Sequence, residues 1–196
     1  MKIVNKKVLK KTPFVELVQT NYIDTKKKLG QWVWCRRPKG RKAVVIAAIR
    51  ETPIYDHNPP VVVDYIRELV VIKEYRVPIE GYEIGFPAGL IDEGETPEDA
   101  VRRELEEETG LKVKSIKHIS PAVLSSAGIT DEAIHMAYVV VSGTPNKDKL
   151  EASEDIETYL MDVDELRDVM DSDGEDYVIG KSAYTIMRNF VKFGDI

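Results

Sequence analysis

Glu104, Glu107 and Glu108 are the residues whose types and spacing point most directly to chemistry. On a helical wheel, with Glu104 at the origin, Glu108 falls about 40° away and Glu107 about 60° to the other side. Ala100, Val101 and Leu105 occupy the same half of that wheel, whereas Asp99, Arg102 and Glu106 point the opposite way. A solvated face accounts for Glu98 and Glu106. It does not account for Glu104 and Glu108, because a carboxylate on an apolar stripe is costly unless it is paired or metal-bound. Arg103 neutralises only part of that charge. Two readings follow from this geometry: a site for a hard divalent cation such as Mg²⁺, or a structural ion-pair network.

The element that carries these glutamates has clear ends. Thr96 suits the N-cap, Pro97 the first helical position, Asp99 the capping-box acid and Gly110 the position past the end, so a helix is predicted over Thr96–Thr109. Phe14–Ile23 and Gln31–Arg37 read as strands joined by a solvated turn with Lys26, Lys27 and Lys28. Pro38–Lys42 reads as a linker, which divides the chain into a small N-terminal β-segment, 1–42, and a second domain, 43–196. Ala43–Ile49, Glu68–Lys73, Tyr82–Phe86, Lys112–Ile119, Ile134–Val141 and Glu157–Val163 read as further strands, and Thr52–Pro60 as a loop. Val163–Asp171 and Lys181–Phe193 read as helices. Strands and helices in this order predict an α/β fold with a mixed sheet packed between helices.

Composition narrows the function. The 196 residues carry a formal net charge of −6, which argues against a non-specific nucleic-acid binder. One cysteine, Cys35, allows no internal disulfide, reads as a buried strand thiol, and suits a reducing cytoplasm. No apolar run is long enough to span a membrane, and Met1–Lys11 lacks the apolar segment of a signal peptide. No G-x-S-x-G elbow is present to supply a covalent nucleophile. His57, His118 and His135 have no partner at metal-ligand spacing and read as structural.

Gly89–Leu111 resembles the Nudix box, Gly-x5-Glu-x7-Arg-Glu-apolar-x-Glu-Glu-x-Gly-apolar. Gly89, Glu95, Arg103, Glu104, Leu105, Glu107, Glu108, Gly110 and Leu111 meet every fixed position. The resemblance implies the Nudix α/β/α sandwich and a pyrophosphohydrolase dependent on Mg²⁺ or Mn²⁺. It implies that Glu104 and Glu108 are the principal metal ligands, supported by Glu107 and the backbone carbonyl of Ala88. Glu95 and Arg103 would form the family's structural ion pair. Bound metal would neutralise the diphosphate and lower the pKa of an attacking water.

The resemblance extends over roughly Trp32 to Phe193. The segments IKEYRVP (72–78), GYEIGFPAGLIDEG (81–94), SPAVLSSAGITDE (120–132) and EDIETYLMDVDEL (154–166) are similar to the ADP-ribose pyrophosphatase branch. That likeness implies a homodimer with exchanged N-terminal strands and a nucleotide-sugar substrate, with ADP-ribose, cleaved to AMP and ribose 5-phosphate, as the leading candidate. Trp32 matches the residue that stacks on the base. Arg37 and Arg76 match phosphate ligands, and Arg36 is a weaker match. The water-activating group is expected on a mobile loop: Glu132 is favoured because it follows Ser-Ser-Ala-Gly, with Glu154 as the alternative and Glu107 as a third choice inside the box. Two positions depart from the branch: Ala127 stands where many members have proline, and Gly85 where many have glutamate before F-P-A-G. Other nucleotide sugars or dinucleotides are the competing substrates. A non-catalytic ligand sensor is the competing class.

Overall fold

The computed structural model describes residues 1–57, 60–172 and 176–196. The strands before the first long helix are β1 (Lys2–Lys11), β2 (Glu16–Ile23), β3 (Leu29–Arg36), β4 (Ala43–His57), β5 (Pro60–Arg76), β6 (Gly81–Gly85) and β7 (Ala88–Leu90). Helix α1 (Pro97–Thr109) is followed by β8 (Lys112–Ile119), β9 (Val123–Leu124), β10 (Ala133–Ser142) and β11 (Ile156–Met161). Helix α2 (Val163–Asp171), β12 (Val178–Ile179) and helix α3 (Lys181–Phe193) complete the order.

Strands β1, β2 and β3 form an antiparallel sheet of their own. The β2–β3 turn is closed by Asp24, whose Oδ1 accepts from the backbone N–H groups of Lys26 and Lys28, so the lysine triplet sits in a solvated Asx turn as expected. The other strands make one mixed sheet along the path β12-β6-β5-β4-β10-β8, with β11 on β5, β7 on β4 and β9 on β10. The β10–β4 and β12–β6 pairs are parallel and the remainder antiparallel.

Alternation along β4 explains the sandwich. Val44, Ile46 and Ala48 pack with Ala100, Val101 and Leu105 of α1 on one side. Ala47 and Ile49 pack on the other with Leu166 of α2 and Ala183, Met187 and Phe190 of α3. A strand covered on both faces has no polar face to show, hence the continuous apolar run. Each large side chain fully buried here contributes about 1.5–3 kcal/mol, against about 0–1 kcal/mol for a surface ion pair, so the two cores hold the layers together.

Three expectations need correction. Thr52–Pro60 is not a loop: residues 52–57 continue β4 and Pro60 begins β5, while residues 58 and 59 of that stretch lie outside the described ones. The cross-strand register from Ala48↔Val70 to His57↔Pro60 overrides the local signal of three prolines. Lys2–Lys11, not read as a strand, is β1; it is exposed along its whole length, so burial leaves no alternation to read. Cys35 is half-buried, not buried, because it lies on the three-stranded sheet.

Candidate metal and diphosphate site

Helix α1 is set by its caps. Thr96 Oγ1 accepts from Asp99 N, Asp99 Oδ2 accepts from Thr96 N, and Gly110 takes the left-handed conformation at φ 72° that ends the helix. The capped helix lies against β4, β7 and β8, which fixes the direction of its carboxylates. Gly89 lets it come close: a Cβ there would collide with the Glu104 carboxylate.

Arg103 is the hub of the box. Its Nε and Nη2 donate to the two oxygens of Glu95 at 2.9 Å each, and Nη2 also donates to the Leu90 carbonyl at 3.0 Å. Nη1 meets Glu104 at 2.8 Å and Glu107 at 3.0 Å. This fork drives the Glu95 carboxyl below its ordinary range. It also shows that the ion-pair reading holds for Glu95, Glu107 and one oxygen of Glu104.

Glu108 stands apart. It is 5% exposed, and its Oε2 accepts from the backbone N–H of Ala88 at 3.0 Å. Burial pushes its pKa up to about 9; that N–H opposes the shift, and the charges of Glu74, Glu104 and Glu154 reinforce it. Burial also raises Glu104, against the pull of Arg103, and raises Glu74, against the pull of Arg76. The one hydrogen bond that favours the ionised form of Glu108 comes from a backbone N–H, not from a lysine or arginine. Glu74 enters this cluster through sheet pairing: it lies opposite Ile156 of β11, two residues past Glu154, and the Tyr75 N–H donates to the Asp155 carbonyl at 3.0 Å. Sequence reading missed Glu74, which lies one residue past the strand read as Glu68–Lys73.

Among the described residues, no three carboxylate, histidine or thiol groups already converge on one point. The donor chemistry nevertheless fits a hard divalent cation: every group is oxygen, and the buried Glu108 carboxyl accepts from a backbone N–H rather than from a cationic side chain. Glu104, Glu108 and the Ala88 backbone are the residues that would hold it, with Glu74 and Glu154 beside them.

The remaining expected residues fall around this centre. Arg76 pairs with Glu74 at 2.7 Å and Glu83 at 3.0 Å. Arg37 pairs with Glu132 at 2.8 Å, and Glu132 also accepts from Ser125 Oγ. Glu132 is therefore tied to a candidate phosphate ligand, whereas Glu154 shares the electrostatics of Glu104 and Glu108. Arg36 is committed to Glu16 at 2.8 Å and is not part of the cluster. Trp32 and Trp34 share one face of β3, as their alternation predicts, and both line a cleft of about 430 Å³ with Tyr22, Lys6 and Asp131. Trp32 Nε1 donates to the Gly128 carbonyl at 3.0 Å, and Cys35 N donates to Ile129 O at 2.8 Å. The N-terminal sheet thus sits on the 128–130 segment of its own chain. Two of the histidines have structural contacts: His118 stacks on Tyr138, and His135 Nδ1 meets the Ser120 carbonyl at 2.9 Å, while the side chain of His57 lies outside the described ones.

Residues 61–179 match the NUDIX domain, and the chain belongs to the Nudix family. It is 31% identical over 143 residues to an ADP-sugar pyrophosphatase of Mus musculus, covering 72% of this chain and 62% of that protein. It is 34% identical over 96 residues to an ADP-ribose pyrophosphatase of Bacillus subtilis (strain 168), covering 49% of this chain and 51% of that protein. These matches span less than two thirds of either relative. A crystal structure of an ADP compounds hydrolase superposes with a TM-score of 0.67 over 97% of this chain and 94% of that one, at 19% identity, which establishes the shared fold.

Proposed function

We propose that this protein is a divalent-metal-dependent pyrophosphohydrolase that cleaves the diphosphate of a nucleoside diphosphate derivative, with ADP-ribose as the foremost substrate. The observation that carries this reading is the buried carboxyl of Glu108, one helical turn from Glu104 and within the electrostatic reach of Glu74 and Glu154. A Mg²⁺ or Mn²⁺ ion there would neutralise the diphosphate and lower the pKa of a coordinated water. The chain's own residues divide the rest of the work. Arg76 and Arg37 bind phosphate oxygens through planar forks, exchanging carboxylate partners for the substrate. Trp32 offers an aromatic face to the base, and it is 52% exposed in its cleft. Glu154 takes the proton of the attacking water, because it is the loop carboxylate that shares the electrostatics of the box; Glu132 holds Arg37 in place.

The names of the relatives support an adenine nucleotide and a sugar on the far side of the diphosphate. The test is a turnover panel in Mg²⁺ and in EDTA against ADP-ribose, other ADP-sugars, GDP-sugars, dinucleotides and nucleoside triphosphates. Metal-dependent release of AMP from ADP-ribose is expected. Tight binding without product across the panel would make the protein a ligand sensor.

A further inference from the structure

Glu154 lies between β10 and β11, outside any helix or strand, and the segment that carries it is tied down at both ends. On the pyrophosphohydrolase reading above, in which Glu154 takes the proton of the attacking water, we propose that Tyr82 is a positioning residue. Its hydroxyl, bonded to Asp155, holds Glu154 facing the box carboxylates.

The sheet brings these residues together. β5 runs between β6 and β11, with Tyr75 opposite Tyr82 on one side and Glu74 opposite Ile156 on the other. The Tyr75 N–H donates to the Asp155 carbonyl at 3.0 Å, which extends the β11 ladder back by one residue. Tyr82 reaches across β5, and its hydroxyl donates to Asp155 Oδ2 at 2.7 Å. The ring is fixed on the way. It meets Tyr75 edge to face with centroids 5.5 Å apart, and Lys73 Nζ lies 4.8 Å from its centroid. The Asp155 carboxylate raises the Tyr82 pKa, so the hydroxyl remains a donor.

Successive residues of an extended chain point to opposite faces. Because Asp155 continues the ladder, gripping its side chain on one face presents Glu154 to the other. On that other face Thr158 Oγ1 of β11 donates to the Glu108 carbonyl at 3.4 Å, and the Glu154 charge acts on Glu74, Glu104 and Glu108. Within its own turn Glu154 has local partners: its N–H donates to the Glu151 carbonyl at 3.0 Å, and its Oε2 accepts from the Glu151 N–H at 3.1 Å. The start of the segment is tied to α1, by Asn146 N to the Thr109 carbonyl at 3.0 Å and by Lys149 Nζ to Glu106 at 2.9 Å. Those ties fix where the segment leaves the helix. The Tyr82 hydroxyl grips the residue adjacent to Glu154, so it governs where that carboxylate points.

Tyr82→Phe removes the hydroxyl and keeps the ring contacts. In steady-state kinetics with ADP-ribose and Mg²⁺ it should lower kcat about tenfold at unchanged KM, the scale of one hydrogen bond to a carboxylate. Asp155→Ala should do the same, and Asp155→Asn, which keeps an acceptor, should recover most of the loss. In a Glu154→Gln background Tyr82→Phe should cost nothing further, because a positioning residue has no effect once the group it positions is gone. Wild-type kcat in Tyr82→Phe, a loss carried by KM, or an equal loss in the Glu154→Gln background would overturn the assignment. Amide hydrogen exchange gives a readout free of turnover: the Glu151 and Glu154 amides, both bonded across the turn, should exchange faster in Tyr82→Phe. If no substrate turned over, that faster exchange would overturn the hydrolase reading and leave the clamp standing. Unchanged exchange would overturn the clamp.

Discussion

At the scale of single residues, neighbours and burial decide what each carboxylate does. Glu95 and Glu108 flank the same arginine in sequence, but Glu95 receives two of its N–H groups and Glu108 receives none. Glu108 is thus a buried carboxyl that receives no arginine N–H, and burial favours its protonated form until a metal binds. Replacing it with glutamine should leave the melting temperature of metal-free protein unchanged or raised. The same variant should lower kcat by about 10²–10³-fold, the scale of losing one electrostatic stabiliser of the transition state. Scanning calorimetry in EDTA and turnover in Mg²⁺ read the two effects separately; near-normal turnover would refute the metal assignment. For the water-activating group, Glu154→Gln should lower kcat by about 10²–10⁴-fold at constant KM. Glu132→Gln should raise KM instead, because it frees Arg37 from the ion pair that orients it. A kcat loss confined to Glu132→Gln would invert the assignment. Trp32→Ala should raise KM for adenine substrates about 10–100-fold, the stacking energy of one base. Steady-state kinetics on the folded variant settle that point.

At the scale of elements, α1 shows how much of the site could be read from sequence. Its start, its stop and the facing of Glu104 and Glu108 are local properties of Thr96, Pro97, Asp99 and Gly110, and all four are visible in the chain. Glu74 was not visible, because its place beside Glu108 depends on the pairing of β5 with β11, across some eighty residues of sequence. The same reason hid the β4–β5 hairpin: residues 52–57 become strand only through partners on the opposite strand. The Glu95–Arg103 pair pins the loop before α1 to the helix, which gives it a measurable pH dependence. Arg103 holds the Glu95 carboxyl below its unfolded value, so the pair's stabilisation is present above the unfolded pKa of about 4.3 and is lost as pH falls through the folded value. Glu95→Gln should therefore cost about 1–3 kcal/mol near neutrality, the penalty for a weakened charged hydrogen bond. The gap in melting temperature between wild type and variant should close on acidification below that range. A gap constant from neutral to acidic pH would show that the pair contributes nothing through its charge.

At the scale of the whole molecule, the three-stranded sheet is the element least able to stand alone. Few strands without a covering layer are marginal in water, and β1 is exposed along its entire length. Ile3, Val4, Val8 and Leu9 of β1 are all solvent-facing, and so are Ile54, Tyr55, Val61, Val62 and Val63 of the β4–β5 hairpin. Exposed apolar residues concentrated on two projecting elements mark a surface for association. β1 also ends its sheet with an open edge, which invites pairing with another chain; its lysines limit that pairing to a partner able to accept positive charge. A second copy of this chain, with its net charge of −6, meets that condition. We therefore expect a homodimer in which the N-terminal strands contact the partner. Light scattering should give twice the mass of one chain, and Val4→Lys with Val8→Lys should give the monomer by adding charge to the apolar positions of β1. Activity should fall with the dimer if the partner supports the Trp32 cleft, since that cleft is built on β1, β2 and β3. A wild-type protein that runs as a fully active monomer at all concentrations would refute the dimer. It would also leave the contact of Trp32 with Gly128 within one chain as the arrangement that serves catalysis.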